Sequence, residues 1–187
     1  PAEAKLLVGT TKCYLADFAG ALVDLGRAVE LNAKLPSANA YHGMALMATG
    51  DTGGAAKAFE AELAQNPNDY ESHLNLGVIL KQDKEYAKAQ EHLKKSLQLR
   101  PGDIRSRYQL ATIAFSENRS EEARKSLEVI VKEAPKFTEA HVTLATVYYR
   151  LKLKALGDRE RQIVQQLNAE AQDKQPKGEA TATPESK

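Results

Sequence analysis

The side chains that most often do chemistry are few in this sequence and are not spaced for it. Four histidines, His42, His73, His92 and His141, are scattered through 187 residues. No two stand at the four-residue spacing that sets a pair of imidazoles over one metal ion on a helix face. Cys13 is the single cysteine, so the chain can close no disulfide on itself and build no cysteine zinc site. It lies in an apolar helical stretch and reads as a packed thiol, not a nucleophile. Gly50-Asp51-Thr52-Gly53-Gly54, with Lys57 downstream, has the glycine density of a phosphate loop. It lacks the adjacent Gly-Lys-Ser/Thr and follows a helix where a strand is required, so it reads as a turn. The pair Glu121-Glu122 falls at a helix start, where carboxylates favour the helix dipole. The sequence therefore predicts no catalytic residue, no cofactor and no metal ligands.

The elements that carry these residues limit the functions further. Lys and Arg total 26 against 25 Asp and Glu, leaving a formal charge of +1. That balance gives no electrostatic footprint for nucleic acid or an anionic membrane surface. No apolar run approaches the roughly 18 residues a membrane helix needs, so no membrane insertion is expected. The 42% apolar and 27% charged composition is that of ordinary globular material. The chain opens on Pro1 with no signal-like segment, which predicts a processed or trimmed chain. The compartment is left open between cytoplasm and, with an upstream signal removed, periplasm or export.

Organisation emerges from the prolines. Pro67, Pro101 and Pro135 are 34 residues apart, and a fixed period of that size marks a repeat protein. The frame extends to five contiguous units, 2–35, 36–69, 70–103, 104–137 and 138–171. The eighth place holds Gly9, Gly43, Gly77, Ala111 and Ala145; the twentieth holds Ala21, Ala55, Ala89, Ala123 and Gly157. The twenty-fourth holds Leu25, Phe59, Leu93, Leu127 and Arg161. Tiny residues opposite large apolar ones suit two antiparallel helices in close contact. In the unit from 70 to 103, Leu74, Leu76, Ile79 and Leu80 follow helical spacing, Asp83 and Lys84 interrupt it, and Ala87 to Leu99 resume it. Residues 172–187 contain no apolar side chain larger than alanine and read as a flexible polar tail.

In its best unit the pattern is Gly77, Ala89, Leu93 and Pro101. The chain thereby resembles the tetratricopeptide repeat family over residues 2–171. The resemblance implies an all-α, right-handed superhelix of antiparallel helix pairs, an α-solenoid, whose first helices line a concave groove. Departures gather at the ends: Ala33 and Ala169 replace proline, Lys5 and Lys12 replace apolar residues, and Gly157 and Arg161 dilute the last second helix. Glu62 departs inside the array and is expected to be partly exposed or paired. His42 replaces a leucine and reads as a packed imidazole, whereas His73 and His141 share the fourth place and read as architecture.

By the same resemblance, groove places are filled by Tyr14, Tyr41, Met44 and Met47 in the first two units, an apolar and adaptable stretch. The later units offer Asn75, Lys81, Arg105, Tyr108, Gln109, Phe115, Tyr149 and Arg150, in which amides and cations suit a peptide backbone and acidic groups. The family's carboxylate clamp, tested place by place, keeps Asn75 and Arg105 but meets Ala40, Met44 and Gln109 elsewhere, so a full clamp is not expected. The function implied is a non-catalytic scaffold that binds a protein or peptide ligand in the groove. The alternative is self-assembly, a homo-oligomer formed through the end units. RNA binding is disfavoured because Glu3, Glu71 and Glu139 offset the groove's cations.

Overall fold

The computed structural model describes residues 1–173 as two compact bodies, Pro1–Ser116 and the residues from Glu117 onward. The first holds seven helices: α1 Ala2–Tyr14, α2 Phe18–Leu31, α3 Ala38–Ala48, α4 Thr52–Gln65, α5 Tyr70–Gln82, α6 Tyr86–Leu99 and α7 Ile104–Ser116. The second holds α8 Ser120–Glu133, α9 Thr138–Arg150 and α10 Lys154–Asp173. There is no strand among the described residues. At 20 residues, α10 is longer than the 11–14 of the other helices and runs past the expected unit boundary. The remainder of the expected tail lies outside the described residues.

The helices follow from local signals that recur at the repeat period. In the middle of each expected unit the chain turns through a left-handed residue, at Ala16 (φ 59°), Gly50 (φ 95°), Lys84 (φ 63°), Asn118 (φ 61°) and Lys152 (φ 61°). Glycine and asparagine tolerate that conformation; alanine and lysine adopt it at a steric cost. Aspartates cap four of the helices, α2, α4, α5 and α7. Asp17 and Asp51 accept from the backbone N–H of Gly20 and Gly54 at 2.9 and 2.8 Å. Asp69 and Asp103 accept from Ser72 and Ser106, both at 2.7 Å.

Close approach within a pair depends on the tiny eighth-place residues. A methyl group on Gly9 would lie 2.5 Å from Leu25 Cγ, on Gly43 2.8 Å from Phe59 Cε1, and on Gly77 2.7 Å from Leu93 Cγ. Leu25, Phe59 and Leu93 are fully buried there. The pair α9–α10 reverses the arrangement: Gly157 of the second helix lies against the Tyr149 ring of the first, 2.7 Å from where its methyl group would be. Arg161, in the place of the bulky residue, is exposed.

Three sequence departures have structural partners. Lys5 and Lys12 both reach the buried Asp24 carboxylate, at 2.8 and 2.6 Å, and these bonds, from Lys12 first and then Lys5, hold its carboxyl below the usual range. Glu62 is buried, and its two oxygens accept from the backbone N–H groups of Ser37 (3.1 Å) and Ala40 (3.4 Å). Ser37 makes no side-chain cap of its own, so α4 supplies the cap for α3. Burial pushes the Glu62 carboxyl up despite these bonds.

Candidate functional site

In the body Pro1–Ser116 the first helices of the pairs touch in order, α1 on α3, α3 on α5 and α5 on α7. One face is therefore assembled from α1, α3, α5 and α7. A concavity of about 410 Å³ opens on it. Its walls are Cys13 and Tyr14 of α1, Phe18 at the start of α2, and Tyr41 and Met44 of α3; Glu71 and Arg105 stand at its rim. Tyr14 is well exposed, at 81%. Its side-chain hydrogen bond to Tyr41, with burial and the nearby Glu71 carboxylate adding to it, pushes the Tyr41 hydroxyl up to about 12. The Tyr41 phenol thus stays a neutral donor and acceptor at physiological pH. Burial pushes the Cys13 thiol up as well, which removes the thiolate a nucleophile requires.

The rim is an ion-pair network. Arg105 donates from Nη2 to Glu71 Oε1 and to the Tyr70 hydroxyl, each at 3.0 Å. Arg100 reaches the same Glu71 oxygen at 3.6 Å and lies with its guanidinium carbon 4.0 Å from the Tyr70 ring centroid. Burial opposes the Arg105 charge, but the Glu71 carboxylate outweighs it and keeps the guanidinium above its ordinary value. Farther along α5, the half-buried Lys81 donates to Gln109 Oε1 (2.5 Å) and Thr112 Oγ1 (3.4 Å) of α7. Burial pushes the Lys81 ammonium down.

In the second body, Tyr149 donates to Asp158 Oδ1 at 2.8 Å. With Val142, Thr146, Arg161 and Val164 it lines a concavity of about 320 Å³. Arg150 contacts Asn118 Oδ1 at 3.5 Å. Tyr148 donates to Glu128 Oε1 at 2.8 Å, and burial followed by that carboxylate pushes its hydroxyl up to about 12. Among the described residues no group of three or more His, Cys, Asp or Glu side chains is arranged to hold a metal ion.

Paired helices, tiny contact residues and a face built from first helices agree with the comparisons to known proteins. Two family models described as tetratricopeptide repeat match residues 41–104 and 80–147, together more than half of the chain. The chain belongs to the tetratricopeptide repeat family. No curated protein matches it in sequence. Among solved structures, MamA 41-end from Desulfovibrio magneticus RS-1 superposes with a TM-score of 0.76 at 20% identity, over 90% of this chain and 96% of that one. PilF of Pseudomonas aeruginosa gives 0.74 at 17%, over 88% and 75%. YrrB, described as a TPR protein with an unusual peptide-binding site, gives 0.70 at 16%, over 92% and 89%. At these identities the likeness concerns the fold.

Within this repeat protein the expected groove residues take different positions. Tyr14, Tyr41, Met44 and Arg105 meet at one concavity. Met47 is half-buried and packs against the cluster of Ala55, Phe59, Leu76 and Ile79. Lys81 and Gln109 join across α5 and α7, while Asn75, Tyr108 and Phe115 are half-buried on those helices. Tyr149 and Arg150 belong to the second body. His42 is half-buried, less enclosed than the packed imidazole expected.

Three features escaped the sequence reading. Phe18 belongs to the concavity although it opens a second helix, and Tyr70, which receives Arg105, carries no motif. His73 and His92 approach with their Nδ1 atoms 3.0 Å apart and ring centroids 5.2 Å apart. The rings thus meet nearly head-on, as a hydrogen-bonded pair does, and their lone pairs do not converge on a metal. His73 Nε2 lies 3.0 Å from the Pro67 carbonyl and His141 Nε2 3.1 Å from that of Pro135, each as donor. The Nδ1 of His141 meets Glu160 at 2.6 Å, as that of His73 meets His92. The places are the same in both repeats, and the signal was the shared 19-residue offset.

Proposed function

We propose that the chain is a non-catalytic protein-interaction scaffold of five repeat units. It holds an extended segment of a partner protein along α1, α3, α5 and α7. An apolar side chain of the partner enters the concavity between Tyr14, Tyr41 and Met44. The observation that carries this reading is the concavity itself: aromatic and thioether walls, two phenols to orient a peptide backbone, and a charged rim. The tetratricopeptide fold supports it, as does the peptide-binding site named for the similar YrrB. The raised Cys13 thiol agrees with a site that binds and does not react.

The test is selection of a random peptide library on the wild-type chain. Recovered peptides should share an apolar residue. They should bind the Met44→Lys variant at least about tenfold more weakly and the Lys94→Glu variant, altered on an exposed position of α6, as tightly as wild type. Peptides that ignore Met44→Lys but are lost with Lys94→Glu would move binding to the other face.

A second reading, self-assembly through the first helix pair, is favoured by Leu7, Leu15 and Val23, which are 68%, 75% and 73% exposed. Concentration-dependent light scattering decides it, and a constant monomer mass sets it aside.

A further inference from the structure

Cations on the first helices of Pro1–Ser116 are mostly consumed by the protein itself. Lys5 and Lys12 are held by Asp24, and Arg105 by Glu71. Lys81 differs from them. It is half-buried, its two partners are the neutral oxygens of Gln109 and Thr112, and among the described residues no carboxylate reaches it. An ammonium carries three N–H donors, so one is left over. A partly desolvated cation without a counter-ion is costly to the protein alone and becomes favourable when an anion arrives. The lowered proton affinity of the amine, caused by burial alone, agrees with that geometry.

We propose that Lys81 is the receiving point for a carboxylate of the bound partner, with Gln109 holding the ammonium in place. This rests on the groove reading above and moves its anion contact from Arg105, which Glu71 occupies, to Lys81. Glu71, at the rim of the apolar concavity, is ten positions before Lys81 on α5, about 15 Å along the helix axis. An extended peptide covers that distance in about four or five residues. The partner motif is therefore an apolar anchor with a carboxylate four to five residues away, either an Asp or Glu side chain or the chain's own C-terminus.

Protein labelled with ¹³C,¹⁵N-lysine, its Lys81 signal assigned by loss in Lys81→Met, is titrated with three tripeptides. These are acetyl-Ala-Glu-Ala-amide, acetyl-Ala-Ala-Ala with a free C-terminus, and acetyl-Ala-Gln-Ala-amide. A carboxylate probe is expected to shift the Lys81 signal and raise the pH at which it titrates, leaving Lys94 unmoved. Which carboxylate does so separates a side chain from a C-terminus, and the neutral tripeptide should do neither. If neither carboxylate moves Lys81 more than Lys94, the inference is overturned.

A second measurement uses an acetylated, amidated Ser/Ala peptide with one Phe and one Glu five positions apart. It should bind wild type about tenfold more tightly than Lys81→Met, and exchange of its Glu for Gln should erase that difference. Sensitivity to Met44→Lys with indifference to Lys81→Met would leave the groove reading standing and remove the carboxylate. Indifference to Met44→Lys alongside a responding Lys81 would do the reverse.

Discussion

Asp24 shows how a residue that looks misplaced in a pattern is explained by its neighbours. A buried carboxylate is tolerated only with partners, and Lys5 and Lys12, which break the apolar pattern of the first helix, are those partners. Glu62 works similarly as the cap of α3. The sequence marked Lys5, Lys12 and Glu62 as departures and passed over Asp24, because pairing across helices depends on rotamers and register that spacing does not reveal. The repeat frame put Tyr41 and Met44 on a first helix, where they line one concavity, whereas the capture of Arg105 by Glu71 was not legible. The Asp24 pair has a pH signature. Its folded carboxyl titrates below the unfolded value of about 4, so its stabilisation is present above that value and is lost as pH falls through the folded one. Asp24→Asn should therefore melt below wild type at neutral pH, and the gap should close as the pH falls below about 4. A gap that stays constant in acid, followed by circular dichroism, would show that the two ion pairs contribute nothing.

At the level of elements, the helices were legible because their signals are local. Prolines, small residues and bulky residues recur every 34 positions, and each acts on its own turn or contact. The left-handed residue between paired helices was not legible, since Ala16, Lys84, Asn118 and Lys152 share no side-chain chemistry. What they share is position, the same place as Gly50. The backbone is left-handed at every one of these positions, and a side chain with a Cβ bears the strain. Lys84→Gly is expected to stabilise the chain by about 0.5–1 kcal/mol, because relief of a left-handed Cβ, worth about 1–2 kcal/mol, exceeds the added freedom of the unfolded glycine. Gly50→Ala should destabilise by a comparable amount. Denaturant midpoints at unchanged slope measure both, and a destabilised Lys84→Gly would mean that this turn carries no strain.

On the scale of the body Pro1–Ser116, each pair of helices contacts only its neighbours in sequence, so its stability is a sum of local terms rather than the property of one core. The tetratricopeptide pattern in the sequence already implied this, because a fixed period stacks each unit on its neighbours in sequence. The consequence can be measured inside Pro1–Ser116 by two substitutions of the same kind. Gly9 packs on Leu25 within the first pair, and Gly77 packs on Leu93 within a pair that has neighbours on both sides. Leu93 belongs to a cluster that draws on α5, α6 and Ile113 of α7. Replacing either glycine by leucine overpacks a closed contact at a cost of about 1–3 kcal/mol or more. Under hydrogen exchange, Gly9→Leu should speed the amides of α1 and α2 while those of α6 and α7 keep their wild-type protection. Gly77→Leu should speed the amides of α5 and α6 and, through the shared cluster, those of α7. If Gly9→Leu instead accelerates exchange uniformly from α1 to α7, the seven helices unfold as one cooperative unit and the local account fails.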